Sequence, residues 1–545
     1  MDDSPPIPHP PDPAPGGAAS VVVTVARLSL DDAPLPVPPE SANADSPRPP
    51  ATAMRVLATV GVVFVGVFLF LRVFLVEPFG VPTGSMAPAL VGNHREAPCP
   101  RCGYPVRVGS PQPGGGREGH FTDIPCPNCG KRVNLADARE VNGDRLLVDK
   151  NVYQLRRPRR WEVAVFRCPV DLSKPYVKRV VGLPGEEISI VDGDGYANGD
   201  LLRKSLAEVR ETRVPVFDMA YAPTPDGWGP RWVVHPADRD PRLPRVETAR
   251  PVVTADDAVV QKGALVLDAS ASPQSEVRLE YRHWNLDERK EDAVTAAHSY
   301  DGRTRGGYAS FPAIHDFYAW CEVEVTAAGT EGCSFALRLF DGADSVAAEL
   351  GVGPRAVGQV FLTHDRHGGL SAARGVSLEA GRTYALEFAF VDRRATLAID
   401  GRVVVAPADL DPPERVRGSG KKIEVKRGEV KRPLQLGARG CRVVVRNLKL
   451  YRDIYYTQAG VSGTRAPAQL GRDEYFLLGD NSGNSEDSRE WRRKSDDVPV
   501  PGVPEPDFIG KPFLIHQPLR LGRVTVGGRE RIVQTLDWSR LRWLH

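Results

Sequence analysis

Tyr176-Val-Lys-Arg-Val-Val-Gly-Leu-Pro-Gly-Glu186 joins a β-branched run to a group of turn-forming residues. This pattern predicts a strand that ends in a turn. Lys178 lies inside the strand, and a lysine that faces a packed interior loses hydration, which lowers its pKa by up to about 3–5 units. Such an amine is partly neutral near pH 7 and can serve as a base, although most lysines lie at the surface.

Upstream, residues 77–90 read Glu-Pro-Phe-Gly-Val-Pro-Thr-Gly-Ser-Met-Ala-Pro-Ala-Leu and place Ser85 in a turn rich in Gly and Pro. The preceding run, 56–76, is apolar except for Arg72. Its length is close to the roughly 20 residues that a helix needs to cross a membrane. The sequence therefore predicts a transmembrane helix over 54–77, with Ser85 near the bilayer surface. The alternative, a cleaved signal peptide, normally has an apolar run of only about 7–15 residues.

Farther along, residues 479–491 read Gly-Asp-Asn-Ser-Gly-Asn-Ser-Glu-Asp-Ser-Arg-Glu-Trp. Turn formers and short hydrogen-bonding side chains dominate this stretch, which is typical of a loop. A calcium-binding loop is the alternative, but the carboxylate spacing of the EF-hand pattern is not met.

Together, and in this order, the three stretches resemble signal peptidase I, the leader peptidases of the S26 serine peptidases. The link Gly-Asp-Arg-Leu-Leu-Val-Asp-Lys over 143–150 is similar to a strand of that family. The resemblance covers residues 54–92, 142–200 and 472–515. It implies a β-rich catalytic domain that needs no cofactor for catalysis. Lys150 is a rival base, but it lacks the sequence context that surrounds Lys178.

The resemblance also implies a role for each matching residue. Ser85 would be the nucleophile and Lys178 its general base, a Ser-Lys pair in place of Ser-His-Asp. The Ser85 N–H and the Thr83 hydroxyl would form the oxyanion hole. Supporting roles fall to Ser485, which would orient Lys178, and to the pair Asp487 and Arg489.

Two Cys-x-x-Cys pairs, Cys99/Cys102 and Cys126/Cys129, are each followed by glycine. Paired motifs of this kind predict a tetrahedral structural zinc site, here in a zinc-ribbon-like insertion over 97–135. Two disulfides are the alternative, because this part of the chain is expected outside the cytoplasm.

A second insertion, 205–455, alternates apolar and polar residues between turns, which predicts an antiparallel β-sandwich. The pair of strands around 384–405 resembles laminin-G/concanavalin-like jelly rolls, modules that often bind glycans or proteins. The 545 residues carry 71 Lys+Arg and 69 Asp+Glu, a balance that argues against nucleic-acid binding. The predicted fold is mainly β, with these domains: a disordered Pro-rich tail 1–53, a transmembrane helix 54–77, a catalytic domain in two parts, 78–204 and 456–545, and the insertions 97–135 and 205–455.

These features predict a single-pass enzyme of the cell membrane that removes signal peptides from exported preproteins on the extracytoplasmic side. Its partners would be preproteins, the lipid bilayer, and a glycan or protein ligand of the sandwich. Two alternatives remain: an inactive membrane-tethered binding module that acts through the sandwich, and a self-cleaving Ser-Lys repressor. The repressor alternative is disfavoured because this sequence shows no DNA-binding half.

Overall fold

The computed structural model describes residues 51–544, except for 111–122, 222–230, 237–263, 271–273, 275, 286–289, 302–310, 330–331, 354–358, 413–415, 419–420, 424–426 and 527–528. The predicted tail, 1–53, lies almost wholly outside these residues. The chain divides into two units between Gly66 and Val67. Every contact discussed below lies within the second unit.

The N-terminal helix spans Ala51–Phe74. Within the part of the chain that the structure describes, no helix is both long and apolar enough to cross a membrane. The predicted transmembrane helix over 54–77 is therefore wrong.

The prediction of a mainly β protein is confirmed. The sheet that carries the site, the catalytic sheet, has eight strands. Its hydrogen-bonded order is Val76–Gly80, Arg145–Asp149, Phe508–Ile515, Val163–Cys168, Asp171–Gly182, Glu474–Leu478 and Val503–Pro504, with Arg542–Trp543 on Phe508–Ile515. A separate four-stranded sheet contains Asp200–Leu201, Asp194–Ala197, Glu187–Val191 and Ala468–Gln469.

Two larger sheets occupy the region predicted as the second insertion, and one apolar cluster lies between them. In Ser334–Phe340 every second residue is buried, so one face of that strand packs into the cluster. The first sheet contains Val214–Asp218, Cys441–Arg452, Phe317–Ala328, Thr383–Val391, Arg394–Ile399, Arg402–Val403, Ala264–Asp268 and Ala408–Asp409. The second contains Trp232–Pro236, Glu276–Tyr281, Leu434–Arg439, Ser334–Phe340, Ser345–Gly351, Gln359–His364 and Gly368–Arg374. The predicted limits of the domains stay predictions.

The remaining elements are short. The helices are Val152–Leu155 and Leu206–Thr212, the second of which begins with a capping box between Ser205 and Glu208. The 3-10 turns are Met219–Tyr221, Ser299–Asp301, Ser482–Asn484, Glu505–Asp507 and Trp538–Arg540. The small sheets are formed by Pro105–Gly109, His94–Pro98 and Glu140–Val141; Asp123–Pro125 and Arg132–Asn134; Trp284–Asn285 and Lys290–Glu291; Val416–Gly418 and Lys421–Ile423; and Leu519–Val526 and Arg529–Leu536.

Candidate active site and cysteine cluster

The structure brings Ser85 and Lys178 into direct contact. Ser85 lies in the turn that follows the edge strand Val76–Gly80, and Lys178 lies in the strand Asp171–Gly182. Lys178 Nζ is 2.6 Å from Ser85 Oγ. Ser85 is 9% exposed and Lys178 only 3% exposed, so bulk water competes little for this hydrogen bond.

Burial increases the fraction of Lys178 that is neutral and able to accept a proton. Loss of hydration lowers the pKa of its amine from 10.5 to about 8. The Asp487 carboxylate opposes this effect, and the Arg489 guanidinium adds to it. A substantial fraction of Lys178 is therefore neutral near pH 8 and can accept the proton of the serine hydroxyl.

The rival base, Lys150, lies just after the strand Arg145–Asp149. Its ammonium group is 3.3 Å from the carboxylate of Glu77, and about a third of its side chain is exposed. Lys178 is thus the lysine of the two that the structure places against Ser85.

The loop over 479–489 packs against the backbone at Gly84 and Ser85. The backbone N–H of Asn481 donates to the carbonyl of Ser85 at 3.0 Å, and its side-chain amide donates to the carbonyl of Gly84 at 3.1 Å. A β-carbon at Gly479 would lie 2.5 Å from the Ser85 carbonyl oxygen, so only glycine permits this approach. The Thr83 hydroxyl lies 3.4 Å from Ser85 Oγ.

Asp487 and Arg489 form the predicted pair, and both are fully enclosed. The guanidinium binds both carboxylate oxygens of Asp487, each at 2.8 Å. It also donates to the Thr457 carbonyl at 2.9 Å and to the Ser482 carbonyl at 2.9 Å. A buried ion pair needs its remaining hydrogen-bonding positions satisfied. The loop carbonyls satisfy those of Arg489, and the same bonds hold the loop in place.

The hydroxyl of Ser485 donates to Asp487 at 2.7 Å. Among the described residues, no hydrogen bond joins Ser485 to Lys178, which is the contact that the resemblance implied. The Asp487 carboxylate also attracts the Lys178 ammonium group electrostatically.

Two contributors were missed from the sequence. Asn481 lies within the 479–491 motif, which gives it no predicted role, although it binds the carbonyls of Gly84 and Ser85. Arg179 follows Lys178 and forms a buried bidentate pair with Asp480, at 2.8 and 2.6 Å, which ties the loop to the strand. The repeated short polar residues of 479–491 were the available signal.

The four cysteines of the two motifs converge on one point. Their Sγ atoms all lie within 4.8 Å of one another. The Cys99–Cys129 and Cys102–Cys126 separations are both 3.6 Å, close to the roughly 3.8 Å edge of a tetrahedron with Zn–S bonds of about 2.3 Å. The four cluster cysteines form no disulfide, so the disulfide alternative is not the arrangement seen.

Local geometry at the cysteine pairs also fits a metal. Gly103 and Gly130 have positive φ and donate their N–H groups back to the carbonyls of Cys99 and Cys126. Hydrogen bonds within the cluster lower the pKa of Cys99 to about 6 and lower that of Cys102, and they raise the pKa of Cys126 and of Cys129, so the four thiols titrate as one interacting group. The donor set thus suits a structural zinc ion.

Comparison with known proteins gives the class of protein. Residues 134–266 match the family described as signal peptidase, peptidase S26. That segment includes Lys178 but neither Ser85 nor the loop 479–489. The match supports a serine-type peptidase.

Individual relatives are more specific. A probable signal peptidase I-2 of Synechocystis is 42% identical over 65 residues, which are 11% of this chain and 29% of that protein. Signal peptidase I of Pseudomonas fluorescens is 30% identical over 142 residues, covering 26% of this chain and 36% of the relative. Signal peptidase I of Rickettsia massiliae is 26% identical over 137 residues, covering 25% of this chain and 40% of the relative. The chain thus spans about a third of the relatives' length, and the similarity supports the signal peptidase I family.

Solved structures also resemble parts of the chain. The carbohydrate-binding module CBM66 of Bacillus subtilis is 11% identical, covering 34% of this chain and 94% of that chain, with a TM-score of 0.20. The Emp47p carbohydrate recognition domain is 6% identical, covering 46% and 97%, with a TM-score of 0.24. Scores this low support no argument about fold or ligand.

Proposed function

We propose that this protein is a serine endopeptidase that removes signal peptides from exported preproteins with Ser85 as nucleophile and Lys178 as general base. The observation that carries the proposal is the 2.6 Å contact between Lys178 Nζ and Ser85 Oγ in a nearly solvent-free setting. The similarity to signal peptidase I supports the choice of substrate.

The chemistry follows from these positions. Lys178 takes the proton of the Ser85 hydroxyl while Oγ attacks the scissile carbonyl carbon. The oxygen of the tetrahedral intermediate accepts hydrogen bonds from the Ser85 N–H and the Thr83 hydroxyl. Lys178 returns its proton to the leaving amine as the C–N bond breaks. Water, deprotonated by the same amine, then attacks the ester carbonyl of the acyl-enzyme, and Lys178 returns this proton to Ser85 Oγ as the ester bond breaks.

Substrate recognition would use an extended segment. The strand Val76–Gly80 lies at the edge of the catalytic sheet and pairs on one side with Arg145–Asp149. An extended preprotein segment beside an edge strand gains main-chain hydrogen bonds, the mode called β-augmentation. Cleavage would take place on the extracytoplasmic side of the cell membrane, where exported chains emerge.

We further propose that the four-cysteine cluster holds a structural zinc ion. Four thiolates complete a tetrahedral shell and leave no position for a substrate or a reactive water. The peptidase chemistry above therefore does not draw on the metal.

The activity should depend on pH in a way set by Lys178. Only the neutral amine accepts a proton, so kcat/KM is expected to fall about tenfold per pH unit below the pKa of about 8 and to level off above it. The measurement is kcat/KM for a purified preprotein with an Ala-x-Ala site between pH 5.5 and 10. A profile that is flat across pH 6–9, with the protein folded throughout, would contradict Lys178 as the base.

The alternative is a binding module without activity. A cleft of about 440 Å³ on the second sandwich sheet motivates this alternative. Its lining includes Glu280, Arg338, Phe340, Ser345, Arg432 and Gln435. A folded protein that cleaves no preprotein at any pH would favour this alternative.

A further inference from the structure

The predicted second insertion reaches the catalytic serine through the turn Ser299–Asp301. Tyr300 is 3% exposed and packs with Ala87 and Val91, which flank the serine turn. Its hydroxyl donates to the carbonyl of Asn93 at 2.9 Å. The insertion therefore contributes an aromatic side chain to the support of the serine turn.

The contact extends to the residue next to the nucleophile. A β-carbon added at Gly84 would lie 2.0 Å from Tyr300 Cε1, so the ring occupies the space that any side chain there would need. A β-carbon at Gly109, in the strand Pro105–Gly109 beside the cysteine cluster, would lie 2.7 Å from the same atom. Tyr300 thus fills the space between the serine turn and the first insertion.

Asp301, the residue after Tyr300, is hydrogen-bonded to Asn481 of the 479–489 loop. The Asn481 side-chain amide donates one hydrogen bond to the Asp301 carboxylate and another to the Gly84 carbonyl. Both N–H bonds of that amide are thereby used, and the carboxylate sets which way the amide faces. The negative charge of the carboxylate also strengthens the bond that it accepts.

The Gly84 carbonyl and the Ser85 N–H belong to one peptide unit. The unit is planar and trans, so its C=O and N–H point in opposite directions. A hydrogen bond that fixes the carbonyl therefore fixes the N–H, which is the backbone donor of the proposed oxyanion hole.

We propose that Tyr300 and Asp301 are positioning residues of the peptidase, acting through Gly84 and Asn481 to aim the Ser85 N–H at the developing oxyanion. The inference rests on the proposed function. It makes part of the 205–455 insertion a component of the active site rather than only an appended module.

The test compares kcat and KM for the Ala-x-Ala preprotein in the full chain. Removing an oxyanion donor outright costs about 10²–10³-fold in kcat, so a misaimed donor is expected to cost about tenfold in Asp301→Ala, with KM nearly unchanged. Tyr300→Ala should show the same pattern, and Tyr300→Phe, which keeps the ring, should recover most of the loss. Asp411→Ala, an exposed acid of the same insertion, is the matched control and should behave as wild type.

A double-mutant cycle separates positioning from general loss of structure. Because Asp301 acts through Asn481, adding Asp301→Ala to Asn481→Ala should cost little more than Asn481→Ala alone. The inference is overturned if the losses in kcat of the two single variants multiply in the double variant, or if a folded Asp301→Ala variant keeps the wild-type kcat. Asp301→Asn, close to isosteric, replaces Asp301→Ala if the alanine variant melts at a lower temperature. If wild type cleaves nothing, the proposed function fails; if wild type cleaves and Asp301→Ala and Asp301→Asn match it, only this inference fails.

Discussion

Lys178→Met is expected to lower kcat/KM for a preprotein by about 10²–10⁴-fold, the range over which general acid-base catalysis contributes. Methionine has a similar length and suits the buried position, since it carries no charge that needs hydration. Asp487 keeps its ion pair with Arg489, so no carboxylate is left unpaired. The measurement is the initial rate of product formation at pH 9, where the wild-type amine is mostly neutral.

Lys150→Met is the matched control. It removes the lysine that follows the strand Arg145–Asp149 and pairs with Glu77, and it should leave kcat/KM within about twofold of wild type because partly exposed ion pairs contribute little. Loss of activity in Lys150→Met with full activity in Lys178→Met would reverse the assignment of the base.

Cys126→Ser is expected to abolish zinc binding and to lower the melting temperature of the protein. Apparent binding free energies of structural zinc sites are about 10–16 kcal/mol, and this energy stabilises the folded state. Metal analysis of the purified wild type should give about one zinc per chain, and the variant close to none. A strong chelator should reproduce both changes in wild type.

Cys333→Ser provides the control for this experiment. Cys333 is buried outside the cluster and donates to the Gly440 carbonyl, a bond that a serine hydroxyl can also make. Its zinc content should match wild type. Thiol alkylation adds a second check: the four cluster cysteines should react only after chelation, and resistance that persists until a reductant is added would indicate disulfides instead.

Short motifs singled out residues that lie close together in the structure. Ser85, Lys178, Asp487 and Arg489 each lie in a stretch whose local pattern is distinctive, and the structure brings them together. The same holds for the four cysteines, because glycines with positive φ fold each pair into a tight turn.

Contacts between distant segments could not be predicted in this way. The approach of Tyr300 to Gly84 depends on how an insertion packs against the serine turn, and nothing in the sequence around 299–301 indicates that neighbour. Ser485 bonds to Asp487 rather than to Lys178, and this choice also depends on how the loop packs. Hydropathy alone failed at 54–77, where an apolar run was taken as a membrane crossing.

The most direct test of the central claim is mass spectrometry of a preprotein with an Ala-x-Ala site after incubation with purified wild type and with Ser85→Ala. We expect one cut, after the second Ala, with wild type and an intact preprotein with a folded Ser85→Ala variant. Equal cleavage by both proteins, or no cleavage by folded wild type, would contradict the assignment of Ser85 and Lys178 as the catalytic pair.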